Sequence, residues 1–382
     1  MDRKEGQALK GHIRKRGSKW CFVLDIGRDP ETGKRRQKWF SGFATKKEAE
    51  RAMTEKIAEI NRGDYVEPSK MTVREFLNMW LLDEVKPNRK TTTYDLYRSL
   101  SKNHIIPEIG NIPLNKLTTI HIHRFSKSLL DKGVSPTTTK FNIRIIKVAL
   151  NWAVKMQLIP KNPAANFQTS VKPAGSEMKV WTDQQVNQFL QAARGSKYYP
   201  AYYLAVSTGM RIGEILGLKW SDVDFDQGVI SIRRILQRTS EGLKLVDQTK
   251  TTKSRRLINI SPSTVEVLKK HRIKQKEEMI KYNYRNADLV FTTRSGKPVE
   301  PRTFREYFAT IVKKAGLPRI RFHDLRHTHA TLLLQQGVHP KIVSERLGHT
   351  SISMTLDIYS HVIPSMQKEA AEMFDQIIAG KH

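Results

Sequence analysis

Arg211, Lys250, His323, Arg326, His349 and Tyr359 are side chains whose types, taken together, could move a phosphoryl group. They fall in four short patterns that follow one another along the chain. The first is Gly209-Met210-Arg211-Ile212-Gly213-Glu214, and the second a basic strand pair around Thr249-Lys250-Thr251 that runs into Ser254-Arg255-Arg256-Leu257-Ile258. The third is His323-Asp324-Leu325-Arg326-His327; the fourth is Leu347-Gly348-His349 with Tyr359 ten residues further on. Phosphoryl transfer piles negative charge on a pentacovalent phosphate, which fixed cations can meet. Arginine suits this, because its planar fork grips phosphate oxygens and keeps its charge. His323 and Arg326 are three apart at a helix start, so both can face one phosphate. A tyrosine hydroxyl is a usable nucleophile that stores the broken bond as an ester. The departing oxygen needs a proton, which Lys250 on a hairpin could donate, with Lys253 three residues away as the alternative.

Singly, each piece has an ordinary explanation. Arg-x-Gly-Glu on a helix is usually a surface ion pair, a run of basic residues in a strand is usually solvated, and a helical tyrosine is usually half-buried. The order and spacing of all four together point to one site.

These residues need a scaffold, and the punctuation of the sequence supplies three segments. Strands are expected over Gly11–Arg16, Trp20–Gly27 and Lys34–Phe40, with turn chemistry in Asp29-Pro30-Glu31-Thr32-Gly33. Thr45 with Glu48 forms a capping box that opens a helix to about Asn61. Gly63–Lys70 reads as a linker. A second box, Thr72 with Glu75, begins an all-helical segment, with Phe76, Leu77, Trp80 and Leu81 on one face. Further helices are expected over Thr92–His104, Thr118–Lys132 and Pro136–Met156, broken by Pro107, Gly110, Pro113 and Gly133. Pro160–Gly175 reads as a second linker, and Thr182 with Gln185 caps the start of the segment that holds all six chemical residues. The expected fold class is α+β and multidomain. A small three-stranded sheet with one helix occupies residues 1–68, an all-helical domain 69–173, and a mostly helical domain with a small β-sheet 174–382.

The bulk composition narrows the partner. Lys and Arg total 67 against 37 Asp and Glu, a net charge of +30, and each of the three segments is net positive. Such an excess favours a polyanion touched by every domain. Cys21 is the only cysteine, which excludes an intrachain disulfide and a cysteine-built zinc site. The sequence carries no secretory apolar stretch near its first residues and no run long enough to span a bilayer. The expectation is a soluble, cytoplasmic protein that associates with the nucleoid, without a membrane partner.

The ensemble Arg211, Lys250, His323-x-x-Arg326, His349 and Tyr359 resembles the tyrosine recombinase (phage integrase) family over about 178–365. In that family the arginines and histidines clamp and polarise the scissile phosphate, lysine is the proposed general acid and tyrosine attacks. Glu214 falls on an acidic position that supports the first arginine. A small departure is Asn259, where many relatives carry proline. Residues 72–172 resemble the family's helical core-binding domain. Residues 11–62 resemble the arm-binding domain of integrases from phages and conjugative elements, and Arg14, Lys15, Arg16, Lys34, Arg35, Arg36 and Lys38, beside Trp20 and Trp39, would suit a sheet in a DNA groove.

The resemblance implies site-specific recombination through a 3′-phosphotyrosine at Tyr359 and a Holliday junction. The partners it implies are double-stranded core and arm attachment sites, a homotetramer on DNA, an excisionase-type directionality factor and a host DNA-bending protein. Bond energy is conserved, so no cofactor, nucleotide or metal is implied. A type IB topoisomerase shares the chemistry but reseals its own strand, and an inactive DNA-binding regulator would keep only the fold. The separate arm segment weighs against the first, and the complete set of residues against the second.

Overall fold

The computed structural model of the chain describes residues 11–28, 33–61, 70–169, 179–247, 256–285 and 288–349, with isolated positions beyond 350. Most of the turn at 29–33, most of the linker at 63–70, Lys250, Lys253 and Tyr359 lie outside the described residues. The chain divides into two compact units, Met1–Ala174 and Gly175–His382. Among the described residues no helix is long and apolar enough to cross a membrane.

The first unit opens with an antiparallel sheet of β1 (Gly11–Arg16), β2 (Lys19–Arg28) and β3 (Arg35–Phe43), followed by α1 (Lys46–Asn61). Phe22 and Leu24 alternate on β2 and join Ala49 and Ile60 of α1 in a core edged by Ile13, Trp20 and Phe40. The register aligns Ile13 with Phe22 and Phe22 with Phe40, so these residues share the helix-facing side. Arg14 and Arg16 on β1 and Arg35, Gln37 and Trp39 on β3 consequently point to the other side. Lys15 is in register with Trp20 and Lys38 with Leu24, which puts both on the helix-facing side.

The helical part follows with its own core. Thr72 and Glu75 make the expected reciprocal capping box on α2 (Val73–Trp80), a device worth about 1 kcal/mol. The chain continues through a π-helical turn, Leu81–Val85, into α3 (Lys86–Asn88), then α4 (Thr91–Leu100), a second π-helical turn, Ser101–Ile105, and α5 (Ile106–Ile109). The sequence predicts a break at Pro107, yet the helix runs through it. Each π turn ends two residues before a proline, Pro87 or Pro107. In both, the residue just before the proline donates five residues back, Lys86 to Leu81 and Ile106 to Ser101. The wider turn absorbs the register shift that a ring without an N–H imposes. After α6 (Thr119–Asp131) and α7 (Pro136–Lys155), the segment expected as a linker begins late: Ala164 is buried in the helical core and Phe167 packs against it.

The second unit starts at α8 (Asp183–Ala193), capped by Thr182 and Gln185, then α9 (Tyr199–Thr208) and α10 (Ile212–Leu216). Its strands form two small sheets where one was expected. β4 (Val223–Asp224), β5 (Val229–Ile232) and β8 (Arg256–Asn259) make one, while β6 (Arg234–Thr239) and β7 (Gly242–Asp247) form a separate hairpin. The basic strands on either side of Lys250 therefore belong to different sheets and do not pair. The unit's described helices end with α11 (Pro262–Lys281), α12 (Pro301–Lys314), α13 (Asp324–Gln335) and α14 (Pro340–Leu347). Phe308 of α12 meets the rings of Phe189, Tyr202 and Phe322 at 5.2, 6.0 and 5.4 Å. Each such contact adds roughly 0.5–1.5 kcal/mol beyond burial. This cluster packs α9 against α8 and α12, and the Trp181 backbone N–H, donating to Thr328 Oγ1 at 3.1 Å, ties the residues before α8 to α13.

Candidate active site

The end of α9 is the pivot. Gly209 caps it with φ +65°, and a Cβ there would stand 2.6 Å from Leu347 Cδ2 and 2.8 Å from His329 Cδ2. Left-handed backbone and close approach of α13 and α14 both call for glycine. Two residues on, Arg211 opens α10. The Glu214 carboxylate reaches back to the Arg211 N–H at 2.9 Å and receives its Nη1 at 3.0 Å. Glu214 is buried, and Arg256 of β8 donates to both of its oxygens, at 3.0 and 2.8 Å. Burial would push the Glu214 carboxyl up, but bonds and charge from Arg256, then the charge of Arg211, hold it at about 2.

The end of α14 meets this cluster. Its final carbonyls form the negative end of the helix dipole, and three guanidiniums donate to them. Arg256 Nε bonds the Arg346 carbonyl at 2.9 Å, Arg326 Nη2 the Leu347 carbonyl at 2.7 Å, and Arg211 Nη2 the Gly348 carbonyl at 3.4 Å. Gly348 then turns the chain with φ +67°, and a Cβ on it would touch Arg256 at 3.0 Å. His349 follows directly. Arg326 also donates to the Gly209 carbonyl at 2.9 Å and is itself buried, whereas the Arg211 side chain remains 41% exposed. Arg211 presents the open fork of the pair, and Arg326 supplies enclosed charge beneath it.

His323 stands just before α13, and its ring meets His327 edge to face with centroids 5.2 Å apart. Burial first, then the positive fields of Arg326 and Arg211, pushes the His323 imidazole below its ordinary range. Burial and the same two arginines bring His349 down to about 4, and burial with His323 brings His327 to about 4. All three imidazoles thus stand among positive charges that disfavour their protonation.

The structure thus brings Arg211, His323, Arg326 and His349 into one recess with Glu214 behind them. Lys250 and Tyr359 lie outside the described residues. Sequence reasoning missed Arg256 as the main partner of Glu214, because strand placement rather than spacing brings the two together. Arg256 alternates with buried Ile258 on β8, while Leu257 between them is 69% exposed, so the arginine lies on the inward face. In the N-terminal sheet the expected DNA-contacting set is split. Arg14, Arg16 and Arg35 share the face away from α1, Lys34 precedes β3, and Lys15, Arg36 and Lys38 alternate onto the other face. Trp39, 51% exposed with Arg14 at 6.0 Å from its ring centre, and Gln37 complete the outward group.

Comparison with known proteins agrees with this layout. Residues 179–366 match the model of the phage integrase family, 72–130 an N-terminal SAM-like domain of phage integrases, and 12–60 an arm DNA-binding domain. A tyrosine recombinase XerC-like protein of Caldanaerobacter subterraneus subsp. tengcongensis is 32% identical, over 97% of this chain and 99% of its own. The integrase of Staphylococcus phage L54a is 27% identical, covering 85% of this chain and 99% of its own. Among solved structures, the Tn1549 transposon integrase in complex with transposon right-end DNA superimposes with a TM-score of 0.67 at 25% identity, over 79% of this chain and 100% of that one. The chain belongs to the phage integrase family of tyrosine recombinases.

Proposed function

We propose that this protein is a site-specific DNA integrase that integrates and excises a mobile element by transient covalent capture of DNA. The observation that carries the reading is the cluster in which Arg211, His323 and His349 lie in the field of the buried Arg326, a set of cations and imidazoles able to meet the charge of a phosphate. Tyr359 Oη attacks the scissile phosphorus and gives up its proton to the surrounding water, the bond from phosphorus to the 5′ oxygen breaks, and Lys250 gives that oxygen a proton. The 3′-phosphotyrosine keeps the bond energy, and the free 5′ hydroxyl of a partner strand later displaces the tyrosine. Two duplexes need four cuts, so four protomers act around a Holliday junction, and no nucleotide is consumed. The boundaries we assign are 1–68 for arm binding, 69–173 for core binding and 174–382 for catalysis. A directionality factor and a DNA-bending protein of the host would choose between integration and excision. Its place of action is the cytoplasm.

A nicked attachment site tests the reading. The intact protein should form an adduct that survives a denaturing gel, and Tyr359→Phe should bind the same DNA with unchanged affinity yet form none, because only the hydroxyl is lost. Adduct formed by Tyr359→Phe would move the nucleophile elsewhere.

A further inference from the structure

Arg346, in the last turn of α14, is a half-buried cation whose hydrogen-bond acceptors among the described residues are all neutral. Its Nε–H donates to His329 Nε2 at 3.2 Å, Nη1 to the Asn259 carbonyl at 2.9 Å and Nη2 to the Ser207 carbonyl at 2.9 Å. Among the described residues no carboxylate pairs with it. Such a cation is costly to bury, and its three bonds reach three separate elements: α13, the end of β8 and α9.

His329 is set up to receive that bond. The Val206 carbonyl lies 2.8 Å from its Nδ1 and can only accept, so Nδ1 carries the proton and Nε2 keeps its lone pair. Burial, then the charge of Arg346, keeps the imidazole neutral, with its pKa down at about 3. The same ring crowds Gly209, the residue whose carbonyl receives Arg326. The backbone of Arg346 is held as firmly as its side chain, since its carbonyl accepts Arg256 Nε. Both His349 and the chain leading to Tyr359 leave from this turn.

We propose that Arg346 and His329 are positioning residues for strand cleavage: the link from guanidinium to neutral imidazole sets where the carboxyl end of α14, and so His349, stands relative to Arg211 and Arg326. Neither residue touches the phosphate; they act through His349. This inference rests on the DNA-cleavage reading above.

A displacement of about 1 Å in a reacting constellation costs on the order of 100-fold in rate. Arg346→Met and His329→Phe should therefore slow adduct formation about 10- to 100-fold in single-turnover reactions with saturating nicked DNA, while the Kd for that DNA stays within about twofold. His329→Gln, which restores an acceptor near the position of Nε2, should recover most of the rate. The readout that separates positioning from general loosening is a kinetic cycle with His349. In a His349→Ala background, Arg346→Met should add less than about threefold. A full further 10- to 100-fold loss in that background would overturn the proposal, as would wild-type rates from Arg346→Met and His329→Phe. If Arg346→Met fails to melt cooperatively, Arg346→Lys, which keeps one donor but not the three-way reach, carries the same comparison. Absence of any adduct with the intact protein would sink the cleavage reading and the positioning role together.

Discussion

Glu214 and Arg256 form a two-pronged ion pair, Oε2 to Nη2 at 2.8 Å and Oε1 to Nη1 at 3.0 Å, with side chains 0% and 8% exposed. The pair ties β8 to α10 and leaves one edge of the same carboxylate for Arg211. A single buried acid therefore orients the exposed arginine of the recess and neutralises the arginine behind it.

Removing that charge should be felt twice. Glu214→Gln keeps the shape but leaves the Arg256 guanidinium without its counter-charge, a defect that costs about 3–5 kcal/mol in enclosed pairs. Hydrogen exchange over 179–349 in rising urea should reveal the loss, and adduct formation should fall because the Arg211 fork is no longer held. Unchanged protection would mean that the pair is replaceable by neutral contacts.

Protonation should destabilise the catalytic unit over a defined window. His327 and His349 are held at about 4 and His329 at about 3, against an ordinary 6.5. Between those values the unfolded chain binds protons that the folded one does not, so stability falls as pH drops from 6.5 toward 4. Glu214 adds nothing there, since its contribution is lost only as pH falls from 4.5 toward 2. Thermal unfolding from pH 7 to 4.5 should show a falling Tm, and His329→Gln should flatten part of the slope. DNA in the recess should raise these histidines, so binding near pH 5.5 should take up protons, readable by calorimetry in two buffers of different ionisation enthalpy. A level Tm together with no proton uptake would remove the cationic recess from the account.

The general acid can be assigned by its leaving group. Lys250→Ala should slow adduct formation strongly, and more than Lys253→Ala. A substrate with a 5′-bridging sulfur should restore the Lys250→Ala rate, because a thiolate departs without a proton. Rescue of Lys253→Ala instead would reverse the assignment, and rescue of neither would shift the acid elsewhere, with His349 next in line.

Local signals read well where the chemistry is local. Capping boxes at Thr45, Thr72 and Thr182 set three helix starts correctly, because an N-cap is decided by four adjacent residues. The grouping of Arg211, His323, Arg326 and His349 in space was legible because their spacing follows a family pattern. What could not be read was long-range. Pro107 lies inside a helix because a π turn ahead of it accommodates the ring, and nothing in the sequence announces that turn. Glu214 chooses Arg256, 42 residues away, through strand placement rather than spacing. The division of basic residues between the two faces of the N-terminal sheet required the register of β1 and β3 against β2.

That division gives the last prediction, which concerns the arm segment. If residues 1–68 read distal arm sites, the remainder should act without them on a core site. A truncated protein beginning near Ser69 keeps Arg211 through Tyr359 and the helical clamp, so it should still form adduct on core DNA. It should fail to integrate on attachment DNA that carries arm sites, because nothing bridges arm and core. Within the intact chain, the outward face should matter more than the rest of the basic set. Arg14→Ala with Arg16→Ala should weaken arm binding and lower the salt slope by about one unit for each phosphate no longer neutralised. Trp39→Ala should weaken it further by removing the ring on which Arg14 rests. Lys15→Ala with Lys38→Ala, on the face toward α1, should change affinity less than either. Titrations of labelled arm DNA at several salt concentrations measure all three. If the Lys15 and Lys38 pair proves the more damaging, the wrong face of the sheet has been assigned to DNA. If the truncated enzyme recombines full attachment sites as well as the intact chain, the N-terminal sheet is not an arm reader at all.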